Sequence, residues 1–361
     1  MRSSNVDYLP RLDHLRLLAA LLVFGFHFFH HYFGQWQARP EQPWLGPIVE
    51  GHTGVSLFFV LSGFIFMTIA LRGGTVGYAS FLRNRVLRIF PLFLFVFVVA
   101  ISIGRDRFQP ADVLYLLFTN LGLAPTSWHF VTGPAWSISV EFAFYLVFPF
   151  LARFTLERGA GYLLDLLLLM LVVKLGAYAA TEKSTHMLYS TLIGRFDQFV
   201  WGMLAALAHR RFGPWLARAG ALPLLASGAA VLVAIGLQAR HASFFLTQPK
   251  QAAWIGWGSV EGLLWGALIV CYMSAAVRIP ERLDRWMCAG GEWSFSFYMW
   301  HTMVIFLVHH WLGFVRMTGS TGLDLAANGA LVLALTLAFA WLSYSVIEQP
   351  FLRLRGTYLK R

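Results

Sequence analysis

An arginine and a histidine stand eleven residues apart in the first apolar stretch of the chain. The stretch runs from Leu12 to His31 and contains Arg16 and His27. Eleven residues make about three turns, so an α-helix would place both side chains on one face, roughly 16 Å apart along its axis. Ionisable groups in an apolar helix usually face a bundle interior or a wet cavity. We interpret this face as part of a reaction centre. The alternative is a snorkelling arginine and a histidine held by a neighbouring helix.

A carboxylate at Glu141 is the second candidate for chemistry. It lies in an apolar segment that begins near Trp136. A carboxylate beside an imidazole raises its basicity and fixes its tautomer, which a general base requires. We therefore predict that Glu141 orients His27 near the outer side of the membrane. By the same counting along the helices, His301 is expected in the inner half and out of contact with His27, and Glu348 is expected to pair with an arginine.

Three arginines follow the second apolar stretch. Arg83, Arg85 and Arg88 fall within six residues, and the last two share a helix face. Guanidinium groups bind phosphates in a bidentate manner, so the cluster is suited to a nucleotide. The alternative is that it only marks the cytoplasmic end of a membrane span.

The composition is that of a polytopic membrane protein. Of 361 residues, 58% are hydrophobic and 12% are charged, and the mean hydropathy is +0.63. Soluble domains contain about 25% charged residues. A segment from Arg105 to Trp136 separates the third and fourth spans, and its part from Pro110 to Phe118 suggests an interfacial or re-entrant helix. The pattern predicts an all-α bundle of about ten transmembrane helices at 15–33, 53–71, 86–104, 138–153, 161–180, 193–209, 221–237, 254–276, 294–314 and 326–346.

The distribution of positive charge predicts the orientation. With the N-terminus in the cytoplasm, 18 of the 28 Lys and Arg residues lie in inner segments and 7 in outer ones. This bias favours both termini in the cytoplasm. It also accounts for the net charge of +11 without a nucleic-acid partner. The two cysteines, Cys271 and Cys288, fit no zinc or redox spacing, so we predict neither a disulfide nor a metal site.

Taken together, these motifs resemble the membrane-bound acyltransferase 3 family. The resemblance covers almost the whole chain, with the motifs in family order, and we expect a single domain over residues 1–361 with no appended soluble domain. His14 and Ser56 depart from the family pattern, which usually has glycine and an acidic residue there. The motifs are Leu12-Asp-x-Leu-Arg16 with ten residues before His27, the segment 54–64, Arg85-x-x-Arg88-Ile-x-Pro91, Trp136-Ser-x-Ser-Val-Glu141, Ser294-x-Ser-x-Tyr-x-Trp-His301 and Ile347-Glu-x-Pro-Phe351.

The resemblance implies transfer of an acyl group, usually acetyl, from cytoplasmic acyl-CoA to a hydroxyl of a glycan or a lipid-linked saccharide in a bacterial inner membrane. Under this hypothesis His27 is the base, Glu141 orients it, and Arg16 holds the donor or a carboxylate such as Asp13. A covalent acyl-histidine relay is an alternative route. The remaining roles are donor binding by Arg83, Arg85 and Arg88, and substrate binding by Trp136, Ser137, Tyr298 and His301.

A transporter or flippase is the rival class of function. Buried Arg, His and Glu residues would also serve proton-coupled export of a glycan or a small polar metabolite. The sequence contains no inverted repeat and no matched pair of interrupted helices. We therefore favour the enzyme.

Overall fold

The chain folds as a helical bundle. The computed structural model describes residues 7–36, 42–73, 75–103, 136–243, 250–316 and 319–360. The predicted interfacial helix at 110–118 lies outside these ranges. The helices are α1 (Pro10–Phe33), α2 (Gly46–Val49), α3 (Thr53–Ala70), α4 (Tyr78–Ile103), α5 (Trp136–Arg158), α6 (Ala160–Ala180), α7 (Ser184–Ser190), α8 (Leu192–Arg218), α9 (Leu222–His241), α10 (Ala253–Ser274), α11 (Glu281–Glu292), α12 (Ser294–Trp311), α13 (Thr321–Ser343) and α14 (Gln349–Leu352).

Two short features complete the fold. A π-helical turn, Tyr344–Glu348, joins α13 to α14 without a break. Strands β1 (Thr75–Val76) and β2 (Leu359–Lys360) pair antiparallel, which ties the end of the chain to the connection between α3 and α4.

The ten predicted spans all coincide with long helices, so the prediction of an all-α polytopic membrane bundle is confirmed. Eight helical segments within the described ranges are long and apolar enough to cross a membrane: α1, α3, α4, α5, α6, α9, α10 and the continuous α13–α14. The other two, α8 and α12, carry buried polar groups such as Arg195 and His301. Helices α1 and α3 are mostly buried, whereas α6 and α9 are mostly exposed.

Glycines bring the central helices into close contact. A Cβ atom on Gly63 of α3 would collide with the carbonyl oxygen of Phe199 on α8, and one on Gly202 of α8 would collide with that of Val60. Small residues allow membrane helices to approach at backbone distance. Gly63 and Gly202 therefore allow α3 and α8 to pack at backbone distance.

Buried ion pairs join the helices around α8. Lys174 of α6 binds Asp197 of α8 at 2.6 Å, and both side chains are 1% exposed. Arg195 binds Glu261 of α10 at 3.2 Å and also donates to Ser56 of α3 at 3.0 Å. Since a buried charge is tolerated only when it is paired, these contacts fix how α6, α8 and α10 are arranged.

Helix α11 carries the chain into the bundle before α12 begins. It packs along α1 so closely that a Cβ atom on Gly290 would come within 2.8 Å of Leu17 Cδ1, and one on Gly291 would collide with Asp13. Leu17 lies about two turns into α1, so α12, which begins four residues after Gly290, starts well above the first turn of α1. This offset decides which side chains meet at the centre.

Candidate active site

Two histidines meet where α1 and α12 cross the middle of the bundle. His27 Nδ1 lies 3.1 Å from His301 Nε2, and the ring centroids are 4.8 Å apart. His301 is fully buried, whereas His27 is partly exposed. The expectation that His301 would not touch His27 is therefore wrong. The offset of α12 explains the error, because His301 follows Gly290 by eleven residues and His27 follows the adjacent Leu17 by ten.

Backbone carbonyls assign the protons on both rings. His27 Nδ1 lies 2.9 Å from the carbonyl oxygen of Val23, and His301 Nδ1 lies 2.6 Å from that of Tyr298. A carbonyl oxygen can only accept, so in each neutral ring the proton sits on Nδ1. The N–H of His27 is then shared between Val23 and the lone pair of His301 Nε2. His27 Nε2 keeps a free lone pair, which is what a general base needs.

A cavity that reaches Tyr298, one turn before His301 on α12, contains the predicted carboxylate. Its walls include Glu141, Ser137, Tyr298 and Ser62, and we call it the Glu141 cavity. Ser62 donates to Glu141 at 2.5 Å, and the hydroxyls of Ser137 and Tyr298 lie 2.7 Å apart. Glu141 also hydrogen-bonds with Tyr145 on its own helix, and within the described ranges it has no contact with His27. The predicted Glu141–His27 pair is not formed, because α3 lies between α1 and α5.

A second cavity, which we call the arginine cavity, opens at the end of the bundle where α1 begins. Its lining contains Arg16, Arg85, Arg88 and Arg355. Three of these residues, Arg16, Arg85 and Arg88, also line the Glu141 cavity, so the two spaces are contiguous. A ligand could therefore extend from the arginines to Tyr298, one turn before His301 on α12.

The arginine cavity holds more positive charge than its carboxylates balance. Arg16 pairs with Asp13 at 2.6 Å and Arg88 with Glu348 at 3.6 Å, which are two of the partners that the sequence suggested. Arg85 stacks on aromatic rings, with its Cζ 4.9 Å from the ring centroid of Phe66. Within the described ranges, neither Arg85 nor Arg355 has a carboxylate partner. Such a site favours an anion.

Arg355 is a member of this cluster that sequence reasoning missed. Burial, with the nearby guanidinium groups of Arg88, Arg85 and Arg16, lowers the pKa of Arg355 to about 10. Its position after the last span made it one of many cytoplasmic positive charges, and nothing in the local sequence distinguishes it from Arg353. What distinguishes Arg355 is that the chain after it returns to the bundle at β2. The pairing of β2 with β1 joins residues that are far apart in the sequence, so no local pattern predicts it.

Two predicted residues lie away from these cavities. Arg83 is exposed, donates only to the carbonyl of Leu354 at 3.4 Å, and lines neither cavity. Trp136 is buried beneath the guanidinium of Arg195, with the Arg195 Cζ 5.8 Å from its ring centroid. Ser137 and Tyr298, in contrast, line the Glu141 cavity, and the carbonyl oxygen of Tyr298 contacts His301.

Comparison with known protein families gives a match over most of the chain. The family model Acyl_transf_3, which is described as an acyltransferase domain, matches residues 9–345. The chain belongs to the acyltransferase 3 family. It is therefore a multi-pass membrane enzyme that transfers acyl groups, which confirms the resemblance and favours the enzyme over the transporter.

Relatives of this acyltransferase 3 protein carry related names. The chain is 29% identical to "Acyltransferase MdmB" of Streptomyces mycarofaciens over 98% of this chain and 94% of the relative. It is 27% identical to "Putative membrane-bound transacylase BcsY" of Komagataeibacter xylinus over 95% of this chain and 84% of the relative. It is 24% identical to "O-acetyltransferase OatA" of Staphylococcus aureus over 42% of this chain and 26% of the relative. No solved structure matches the chain.

Proposed function

We propose that this enzyme transfers an acetyl group from cytoplasmic acetyl-CoA to a hydroxyl of a glycan or lipid-linked saccharide in a bacterial inner membrane. The observation that carries the proposal is the contiguous space that runs from four arginines to Tyr298, whose carbonyl oxygen lies 2.6 Å from Nδ1 of His301. Acetyl-CoA is anionic at its nucleotide end and neutral along its pantetheine arm. That distribution of charge matches a cationic entrance followed by a passage whose described lining, beyond the shared arginines, contains one charged side chain, Glu141.

The arginines hold the donor by its phosphates. Arg85 and Arg355 have no carboxylate partner in the described part of the chain, so they bind the phosphates without first breaking an ion pair. Arg88 and Arg16 are paired and add longer-range attraction. Arg16 and His27 are eleven residues apart on α1, so the phosphates and the thioester lie roughly 16 Å apart along the axis.

His27 is the base. The acceptor hydroxyl gives its proton to His27 Nε2 as its oxygen attacks the thioester carbonyl. The new C–O bond forms, the C–S bond breaks, and the CoA thiolate leaves and is protonated from the imidazolium. His301 is a positioning residue: as charge develops on His27, the hydrogen bond from His27 Nδ1 to His301 Nε2 strengthens. This is the orienting role that the sequence assigned to Glu141.

Glu141 and the hydroxyls around it lie where a saccharide would meet the donor. Carboxylate and hydroxyl groups bind sugar hydroxyls by hydrogen bonds, and the aromatic walls of the same cavity suit the apolar faces of a sugar or a lipid carrier. The name of one relative includes O-acetyltransferase, which supports a hydroxyl acceptor and an acetyl donor.

Labelled acetyl-CoA tests the proposal in isolated membranes. Membranes with the wild-type enzyme should transfer label to an extractable glycan fraction, and membranes with an equal amount of His27→Gln should not. Absence of label from every extracted fraction, or equal labelling by the two proteins, would refute the proposed donor or the proposed base.

A further inference from the structure

Three potential metal ligands meet where α11 packs against the start of α1. His14 comes from α1, and Asp284 and Cys288 lie one turn apart on α11. His14 Nε2 is 3.2 Å from Asp284 Oδ1 and 3.4 Å from Cys288 Sγ, and Cys288 Sγ is 3.9 Å from Asp284 Oδ2. One ligand atom from each side chain lies within 4.8 Å of the others. The cluster is separate from the histidine pair and from both cavities.

These separations are those of a zinc site. Zinc binds nitrogen and oxygen at about 2.0–2.2 Å and sulfur at about 2.3 Å in a tetrahedron. Ligand atoms around such an ion are therefore about 3.4 Å apart for nitrogen and oxygen, and about 3.6 Å apart for a pair that includes sulfur. Both distances from His14 Nε2 lie within about 0.2 Å of these values. Asp284 directs Oδ1 at His14 and Oδ2 at Cys288, so a rotation of its carboxylate would bring one oxygen to the ion.

The surroundings prepare His14 as a ligand. Its Nδ1 lies 2.7 Å from the hydroxyl of Tyr272 on α10, which fixes the ring and leaves Nε2 directed at the other two residues. A hydrogen bond to the second nitrogen is the usual support for a ligating histidine. His14 is 2% exposed, whereas the side chain of Asp284 is 37% exposed, so an ion can enter from solvent past Asp284.

We propose that His14, Asp284 and Cys288 bind a zinc ion, with water in the fourth position. A mixed nitrogen, oxygen and sulfur set suits zinc better than magnesium or calcium, which prefer oxygen alone. The site ties α11 to α1 at His14, which lies between Asp13 and Arg16 of the arginine cavity. Sequence spacing could not reveal it, because its ligands come from two helices that are about 270 residues apart.

Binding must release a proton. Zinc requires the thiolate, so the metal displaces the thiol proton to solvent, and affinity should increase with pH.

Cobalt binding to the purified protein tests the site, since Co²⁺ replaces Zn²⁺ and reports a thiolate ligand by a charge-transfer band. The wild type should bind one Co²⁺ with this band, and Zn²⁺ should displace it. Cys288→Ser and His14→Asn should each weaken binding, by more than the roughly 10–100-fold typical of a lost second-shell partner. The matched control is Cys271→Ser, which removes the other cysteine and should leave the band unchanged.

Alkylation of the thiol in intact membranes provides a second measurement that does not require purification. In a Cys271→Ser background only Cys288 can react, and zinc should slow its alkylation at least about tenfold. The proposal is wrong if the wild type shows no thiolate band with excess cobalt, if the band depends on Cys271, or if zinc leaves the alkylation rate of Cys288 unchanged.

Discussion

Replacing Arg85 with Gln should raise the KM for acetyl-CoA without a comparable loss of kcat. Arg85 is the most informative arginine because it has no carboxylate partner in the described ranges, so its removal leaves no buried acid unpaired. A hydrogen bond to a charged group contributes about 1.5–3 kcal/mol, which corresponds to roughly a 10- to 150-fold increase in KM. The assay is the initial rate of label transfer in membranes at varied acetyl-CoA concentration.

Two comparisons make this prediction specific. Arg83→Gln is a matched control, because Arg83 lies two residues earlier on the same helix, is exposed and lines neither cavity. S-acetylpantetheine lacks the nucleotide end of acetyl-CoA, so Arg85→Gln should change its KM little. The reasoning is refuted if a normally inserted Arg85→Gln protein keeps the wild-type KM for acetyl-CoA, or if both donors are affected equally.

Arg88 needs a paired design, because it is the partner of buried Glu348. Arg88→Gln alone would leave that carboxylate uncompensated, which costs about 3–5 kcal/mol for a buried pair. The double variant Arg88→Gln with Glu348→Gln removes both charges. It should recover expression while the KM for acetyl-CoA stays high. Recovery of both would show that Arg88 acts only in folding.

Three further predictions concern positioning, stability and topology. His301→Gln should lower kcat by about 10- to 100-fold with little change in the KM for acetyl-CoA. In the double variant with His27→Gln, it should cause little further loss of kcat, because the two rings act as a unit. Losses of kcat that multiply fully in the double variant would contradict this. Lys174→Met should lower the free energy of unfolding in detergent by about 3–5 kcal/mol, because it leaves Asp197 buried without its partner. Adding Asp197→Leu to this variant should restore much of the loss. An unchanged free energy of unfolding in Lys174→Met would contradict the role of the buried pair. A periplasm-active reporter fused after Arg361 should give no signal, and a strong signal there would overturn the orientation.

Much of the fold could be predicted because lipid imposes a simple rule on the sequence. Every span must be an apolar helix of about 20 residues, so hydropathy locates the helices. The spacing of Arg16 and His27 also predicts that they share a face of α1, because both lie on one helix. Both face the region of α12: Arg16 shares a cavity with Tyr298, and His27 contacts His301 one turn later.

Contacts between helices could not be predicted in the same way. A count of residues from the start of its own span predicts the depth of His301 only if α12 begins at the membrane surface. Helix α11 has too little apolar sequence to be recognised as part of the bundle, yet its glycines pack it against Leu17 and Asp13 and shift α12 inwards. The rotation of α5 about its axis, which directs Glu141 to Ser62, leaves no local pattern either.

The central claim is that His27 takes the proton of the acceptor. The most direct measurement is the rate of acetyl transfer by His27→Gln in membranes, at saturating acetyl-CoA and with protein amounts matched to the wild type. General-base catalysis contributes about 10²–10⁴-fold, so the rate should fall by at least about 100-fold. His31→Gln, one turn further along α1, should retain nearly the wild-type rate. A normally inserted His27→Gln protein that transfers acetyl at close to the wild-type rate would contradict the claim.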